Sequence, residues 1–574
     1  MLSKEDNYDE STDSAEYISC LEKAKELLNA KSNKEDRKMK ILSLLKEVGI
    51  DHPESRYKQY PFELSGGMRQ RIMIDMCLIC EPEVLILDEP TTALDVSTQA
   101  QILELLDKIK AKRGLTSLFI THDLGVVAHV ADKVAVIYDG KIVEYGSVYD
   151  IFYDPRHPYT WALLSSLPEL SRSEPLSPIK GQHLMLTPPK GDAFYSRNPY
   201  RLKIDKFEML KFFQISKSHS AATWLLDSLS PDVIAPNIIR KRIFSSIDKY
   251  KTLIPESNLK KNSPLLYKPE DRVSNSAVSS RVLLNDEKLF EIKGLKKNFL
   301  LKGSSEQLKA VDDISFSIRR GEIFALVGES GSGKSTTGRC INGILTPDSG
   351  EIYYHHQKLY LGNENKNLTK NMQMIFQDSF LSFVPRKTIF ESIAEGLYIR
   401  HLDKDMISQK VLIVCNEVGL SSSLINRYPH ELSGGQRQRA CIARALVVDP
   451  DLLIADEPIS SLDISIQAQI INLFFELRKK RNLAILFIAH KLSVVSYFSD
   501  IVSVMHKGKI VELAPAEELF SNPRHQYTQA MLSAAPIIDP GEERTRERLK
   551  YDVKEEKGTM TLISTNHYVL EEKI

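Results

Sequence analysis

Gly328-Glu-Ser-Gly-Ser-Gly-Lys-Ser335 decides how this chain is read. The apolar run Ile323-Phe-Ala-Leu-Val327 precedes it in the manner of a buried strand, and a helix-compatible run begins at Thr336. A strand, a glycine-rich turn and a helix start form the context that a phosphate-binding loop requires. The backbone through Gly328, Ser330, Gly331, Ser332 and Gly333 can wrap a β-phosphate, and Lys334 reaches the β- and γ-oxygens. Ser335, beside Thr336, is placed to hold Mg²⁺. Taken alone, the octapeptide is also compatible with a Gly/Ser turn. Leu432-Ser-Gly-Gly-Gln-Arg-Gln-Arg439 argues for the first reading. Its Ser433-Gly434-Gly435 opens a helix, whose free N–H groups and dipole offer a second anion site.

Comparing the chain with itself reveals a duplication. Leu64-Ser-Gly-Gly-Met-Arg-Gln-Arg71 returns as Leu432–Arg439, a spacing of 432 − 64 = 368. At the same spacing Asp88-Glu89 returns as Asp456-Glu457, His122 as His490, and Arg156-His-Pro-Tyr-Thr160 as Arg524-His-Gln-Tyr-Thr528. Each acidic pair closes a short apolar run of the kind that buried parallel strands use. An amphipathic helix is expected from Ser97 to Lys110, after Ala93-Leu94-Asp95. A hairpin is expected from Val134 to Ile142, turning at Asp139-Gly140. The counterpart of Gly328 falls before Met1, and Asp6–Thr12 does not resemble Phe376-Gln377-Asp378. Similarity between the copies is read from about Asp36 onward, so a first domain truncated at its N-terminus is expected.

With these motifs the chain resembles the ATP-binding cassette ATPases. The implied fold is α/β, with two P-loop cassette nucleotide-binding domains, each a RecA-like core plus a helical subdomain. The first lacks its N-terminal P-loop portion. The resemblance implies ATP and Mg²⁺ as cofactors. It implies that Asp456 orients Mg²⁺ through water, Glu457 polarises the attacking water and His490 contacts the γ-phosphate. Gln377 would sense Mg²⁺ and report to a membrane partner. Phe299 stands where the family places an aromatic that stacks on adenine; an edge core residue is its plainer reading. Asp463, in Ser460-Ser-Leu-Asp463, would belong to the loop that crosses the dimer interface. Cassettes of this kind pair head to tail, which would set Ser65-Gly66-Gly67 over the P-loop of the second copy. Ser433-Gly434-Gly435 would then face a first copy without one. Two acids capping a strand, or a surface histidine at a strand end, are the bland alternatives; the common register of both copies argues against them.

His157-Pro-Tyr-Thr160 through Pro189-Lys190-Gly191, with Ala222-Thr-Trp-Leu-Leu226, is similar to the C-terminal extension of oligopeptide, dipeptide and nickel importer ATPases. That resemblance implies an ATP-hydrolysing subunit of a bacterial importer for peptides or related small solutes. Its partners would be two transmembrane permease subunits, served by an extracytoplasmic solute-binding protein. A homodimer through the complete second domain is also left open. Many such extensions carry cysteines; here Asp192 and Asn198 occupy that neighbourhood, and no iron–sulfur cluster is expected. Two other readings remain: a degenerate or regulatory cassette protein without transport activity, and a soluble twin-cassette ATPase acting on ribosomes or DNA.

The length of 574 residues suits two large domains plus connections. Lys+Arg and Asp+Glu both number 76, so no whole-chain attraction to nucleic acid is implied and no nucleic-acid partner is expected. Apolar runs are too short to span a bilayer and the N-terminus has no signal-peptide pattern, which reads as a cytoplasmic protein. The resemblance would place it peripherally on the inner face of the plasma membrane. Cys77-x-x-Cys80 lies in an apolar helical run and is expected to pack in the core. The expected domains are a disordered leader (1–15), a truncated first nucleotide-binding domain (16–170), an extension and linker (171–285), a complete second domain (286–540) and a solvated polar tail (541–574).

Overall fold

The computed structural model describes residues 34–166, 191–240, 287–300, 307–359, 371–552 and 555–571, less 93, 238 and 461. The expected leader and much of the expected linker therefore lie outside the described residues. The chain divides into two compact units, Met1–Pro90 with Glu104–Leu118, and Thr91–Leu103 with Phe119–Ile574.

The second unit is built on an eight-stranded sheet. In spatial order, Met372–Ile375, Leu452–Asp456, Ala484–Ile488, Ile323–Val327 and Ile501–His506 run parallel. Lys509–Pro515, His567–Glu571 and Thr559–Ser564 follow antiparallel. Ile323–Val327 is buried throughout because both faces are covered. Ile323, Ala325 and Val327 face a core completed by the helices Ile389–Ile399, Lys404–Glu417, Gly434–Leu446 and Ile464–Arg481. Phe324 and Leu326 face the other core, formed by the hairpin Lys288–Leu300/Gln307–Arg319 and the helix Lys334–Ile341. This central strand carries the glycine-rich loop on its C-terminal end.

The expectation of a solvated tail at 541–574 is corrected by the structure. Thr559–Ser564 and His567–Glu571 form a hairpin that joins the sheet edge. The cause is the buried carboxylate of Glu512, which must find donors. It accepts from His567 Nε2 at 2.8 Å, Arg524 N–H at 2.8 Å and His525 N–H at 3.0 Å. The charge run before the hairpin is also folded. Glu543 is buried and holds Arg548 at 2.6 Å and Arg546 at 3.3 Å.

The first copy repeats this device within the same unit. Lys133–Tyr138, Lys141–Ser147, Ser220–Ala222 and Phe212–Gln214 form a four-stranded sheet. The expected turn is there, with Asp139 and Gly140 at φ 49° and 74°. Buried Glu144 accepts from Arg156 N–H at 2.6 Å, His157 N–H at 3.0 Å and His219 Nε2 at 2.9 Å. Asp192 and Asn198 are buried turn caps, taking the N–H groups of Phe194 and Tyr200 at 2.8 and 2.9 Å.

The first unit contains the helices Lys34–Glu47 and Gly66–Leu78, the end of Val96–Arg113, and most of a two-stranded sheet, Val84–Asp88 with Thr116–Ile120. Glu47 joins Lys112 at 2.8 Å and Arg113 at 2.7 Å. Leu85 and Leu87 are buried, whereas Val84 and Ile86 are 56% and 64% exposed. Cys77 and Cys80 are exposed, which corrects the expectation that they pack in the core. Their counterparts, Ala445 and Val448, are buried among the helices that pack on Gly434–Leu446.

Candidate active site

The loop from Gly328 to Ser335 is closed in at Gly328 and Gly333, where no side chain would fit. A Cβ on Gly328, at φ 149°, would lie 2.0 Å from the Met505 carbonyl oxygen, and one on Gly333, at φ 105°, 2.0 Å from that of Ala310. The Ser332 carbonyl accepts the Gly508 N–H at 3.0 Å, pinning the loop to the turn beyond Ile501–His506. Lys334 is buried, with Nζ donating to the carbonyls of Gly328 and Glu329 at 2.8 and 2.7 Å and to Ser332 Oγ at 3.3 Å. Burial pushes its ammonium pKa down, against the opposing pull of Glu457, Asp95, Asp456 and Glu329. Thr336 is partly exposed in the first turn of the helix. A buried ammonium among neutral carbonyls, in a backbone cradle at a helix start, fits a phosphate chain.

Ser335 Oγ donates to Asp456 Oδ1 at 2.8 Å, so the two residues expected at Mg²⁺ are together. Burial raises the Asp456 carboxyl pKa, while the Ser335 hydrogen bond works the other way. A hydroxyl and a shielded carboxylate side by side suit a hard divalent cation. Mg²⁺, when bound with ATP, neutralises charge on the β- and γ-oxygens.

Glu457 follows at φ 47°, a strained backbone region held by its N–H to the Ile488 carbonyl at 2.9 Å. Its Oε2 accepts Gln377 Nε2 at 2.9 Å and lies 3.3 Å from His490 Nδ1. Burial would raise the Glu457 pKa, but His490, Lys334 and Gln377 outweigh it and hold the group below the usual carboxylate value. An ionised carboxylate placed this way can accept a proton from, or orient, a water molecule. Phe299 is a half-exposed aromatic paired across the hairpin with Leu308.

Ser433 caps its helix through the Gln436 N–H at 3.3 Å, with Gln436 Oε1 returning to Ser433 N–H at 3.0 Å. Gly434 and Gly435 follow in the first turn. Ser65 caps the corresponding helix in the first unit, its Oγ taking the Met68 N–H at 3.3 Å, with Gly66 and Gly67 following; Met68 stands where Gln436 completes the box in the second copy. Asp463 caps Ile464–Arg481 through the Ile466 N–H at 3.0 Å; burial raises the Tyr159 phenol pKa, with Tyr138 and Asp463 adding to it. The acid that reaches the P-loop is Asp95, whose Oδ2 accepts the Ser330 N–H at 3.3 Å. Asp95 is the first-copy counterpart of Asp463, so the duplication register would have pointed to it.

The family described as ABC transporter matches residues 2–92 and 311–460, and the family described as oligopeptide/dipeptide transporter, C-terminal region, matches 143–204 and 511–559. The first match runs through the stretch read as a leader. The chain is 36% identical over 533 residues to the glutathione import ATP-binding protein GsiA of Salmonella choleraesuis (strain SC-B67), covering 92% of this chain and 73% of that one. It is 37% identical over 529 residues to the protein of the same name in Escherichia coli (strain K12), with the same coverage. Among solved structures, cbiO1 of Clostridium perfringens, part of the ABC transporter complex cbiONQ, is 28% identical at TM-score 0.38, covering 41% of this chain and 92% of that one. The fold and the site define a P-loop ATPase of α/β architecture. The chain belongs to the ABC transporter family of ATP-binding proteins, and it hydrolyses ATP with Mg²⁺.

Proposed function

We propose that this ATPase is the energising subunit of an importer for peptides or related small solutes, glutathione among them. It would act on two transmembrane permease subunits, supplied by an extracytoplasmic binding protein, from the inner face of the plasma membrane. The observation that carries this reading is the pair of matches to the oligopeptide/dipeptide transporter C-terminal region, one in each copy. The names of the relatives support it. Among the described residues no helix is long and apolar enough to cross a membrane.

In the hydrolytic step, Lys334 and the P-loop amides would hold the phosphates, Ser335 and Asp456 the Mg²⁺, and Glu457 the attacking water. His490 and Gln377 would orient Glu457 and respond to the γ-phosphate. Phe299 would stack on adenine. Reconstitution with the permeases in vesicles tests the reading. ATP-dependent uptake of labelled glutathione or short peptides is expected. An active ATPase that drives uptake of none of these solutes would refute it.

A further inference from the structure

The Arg-His-x-Tyr-Thr motif occurs in both copies, and the hydrolytic geometry uses neither. We propose that Tyr527 of the second motif is a positioning residue for the P-loop, tying the C-terminal extension to the loop that holds phosphate. Its phenol oxygen accepts the Glu329 N–H at 3.1 Å. The next amide along the loop, that of Ser330, is taken by Asp95, so two successive amides are fixed from outside the loop.

The phenol is held as firmly as the contact requires. Tyr527 is buried, its ring stacked on His506 with centroids 4.1 Å apart and meeting Tyr551 at 5.7 Å. Glu556 anchors that stack from the tail, bonding His506 Nδ1 at 2.5 Å and Tyr551 Oη at 3.1 Å. Its other oxygen lies 3.8 Å from His525 Nε2. The same histidine caps the helix Gln526–Ala534 by accepting the Tyr527 N–H at 3.2 Å. Residues from the extension, the sheet and the tail thus set the position of one oxygen under the loop.

The first copy supplies the control. Tyr159 has the same cap, with its N–H on His157 Nδ1 at 3.0 Å, but its ring packs on Tyr138 and Phe194 with centroids 4.6 and 5.4 Å away. It therefore shares the packing without the P-loop contact. The proposal rests on nucleotide binding by the P-loop and is independent of the imported solute.

The test compares Tyr527→Phe with Tyr159→Phe in the full chain, measuring MgADP affinity, ATPase kcat and KM, hydrogen exchange across the P-loop and ligand-free melting temperature. Loss of one hydrogen bond predicts that Tyr527→Phe weakens MgADP binding and raises the KM for ATP about three- to tenfold. Exchange should quicken at the Glu329 amide, while the ligand-free melting temperature falls by no more than about 2–4 °C, the cost of one hydrogen bond, because the ring remains. Tyr159→Phe should change none of these. Wild-type affinity and exchange in Tyr527→Phe would overturn the proposal. So would equal losses in the two variants, or an affinity loss accompanied by a ligand-free melting temperature lowered well beyond the cost of one hydrogen bond.

Discussion

Val84-Leu-Ile-Leu-Asp88 and Leu452-Leu-Ile-Ala-Asp456 are nearly the same strand, yet they sit in opposite environments. Ile454 is fully buried; Ile86, its counterpart, is 64% exposed. The difference lies in what covers the strand. In the second copy the P-loop helix rests on it so closely that a Cβ on Gly338 would lie 3.2 Å from Ile454 Cγ2 and 3.0 Å from Ile488 Cδ1. There Ile323–Val327 also joins Ala484–Ile488 to Ile501–His506 in one sheet, whereas Thr116–Ile120 and Lys133–Tyr138 belong to separate sheets. The P-loop segment is therefore structural as well as chemical: it supplies the central strand and covers one face of its neighbours. An apolar pattern specifies a buried strand only where such cover exists.

The comparison is sharpest at the two glutamates. Glu457→Gln should lower ATPase kcat about 10²–10⁴-fold, the usual contribution of a side chain that assists proton transfer. Glu89→Gln should leave it near wild type; comparable losses would break the asymmetry. Next comes packing. Ile454→Ala should cost about 2–5 kcal/mol in urea unfolding, whereas Ile86→Ala should stay within about 0.5 kcal/mol. Equal costs would mean that the face of Ile86 is covered in solution.

A smaller effect is expected at Asp75, which stands where the second copy has Ala443. Asp75 is buried in the first unit with its Oδ1 unpartnered. Burial, helped by Glu47, raises its pKa from 3.8 to about 6. A carboxyl pKa raised by folding makes the folded state the better proton binder. Stability is therefore lost as pH rises through that window, and the loss is complete above it. Asp75→Ala should stabilise the first unit by about 1–3 kcal/mol at pH 8 and by much less near pH 4. A pH-independent change would refute the burial argument. The smallest effect is chemical: Cys77 and Cys80 should react rapidly with a thiol reagent, and buried Cys340, Cys415 and Cys441 only on unfolding.

Much of the site was legible because its residues sit at strand ends. Asp456, Glu457 and His490 follow short apolar runs of the kind that buried strands use, and the glycine-rich loop follows another. What escaped depended on contacts distant in sequence. Thr559–Glu571 read as tail because a charge run precedes it and because the spacing of the copies changes within the extension. Glu144 pairs with Ala221, but Glu512 pairs with Val569. The hairpin is fixed by His567 on buried Glu512, a pairing with no local periodicity. Asp95 at Ser330 and Tyr527 at Glu329 escaped for a related reason, since each joins elements more than a hundred residues apart. Cys77 and Cys80 were misjudged because helix pattern reports which face is apolar, not whether anything covers it.

The second copy assembles a nucleotide site around Lys334, Ser335 and Asp456. Equilibrium titration with MgADP measures it. Binding is predicted that is lost in Lys334→Ala and kept in Glu89→Gln. Binding that survives Lys334→Ala would contradict the assignment.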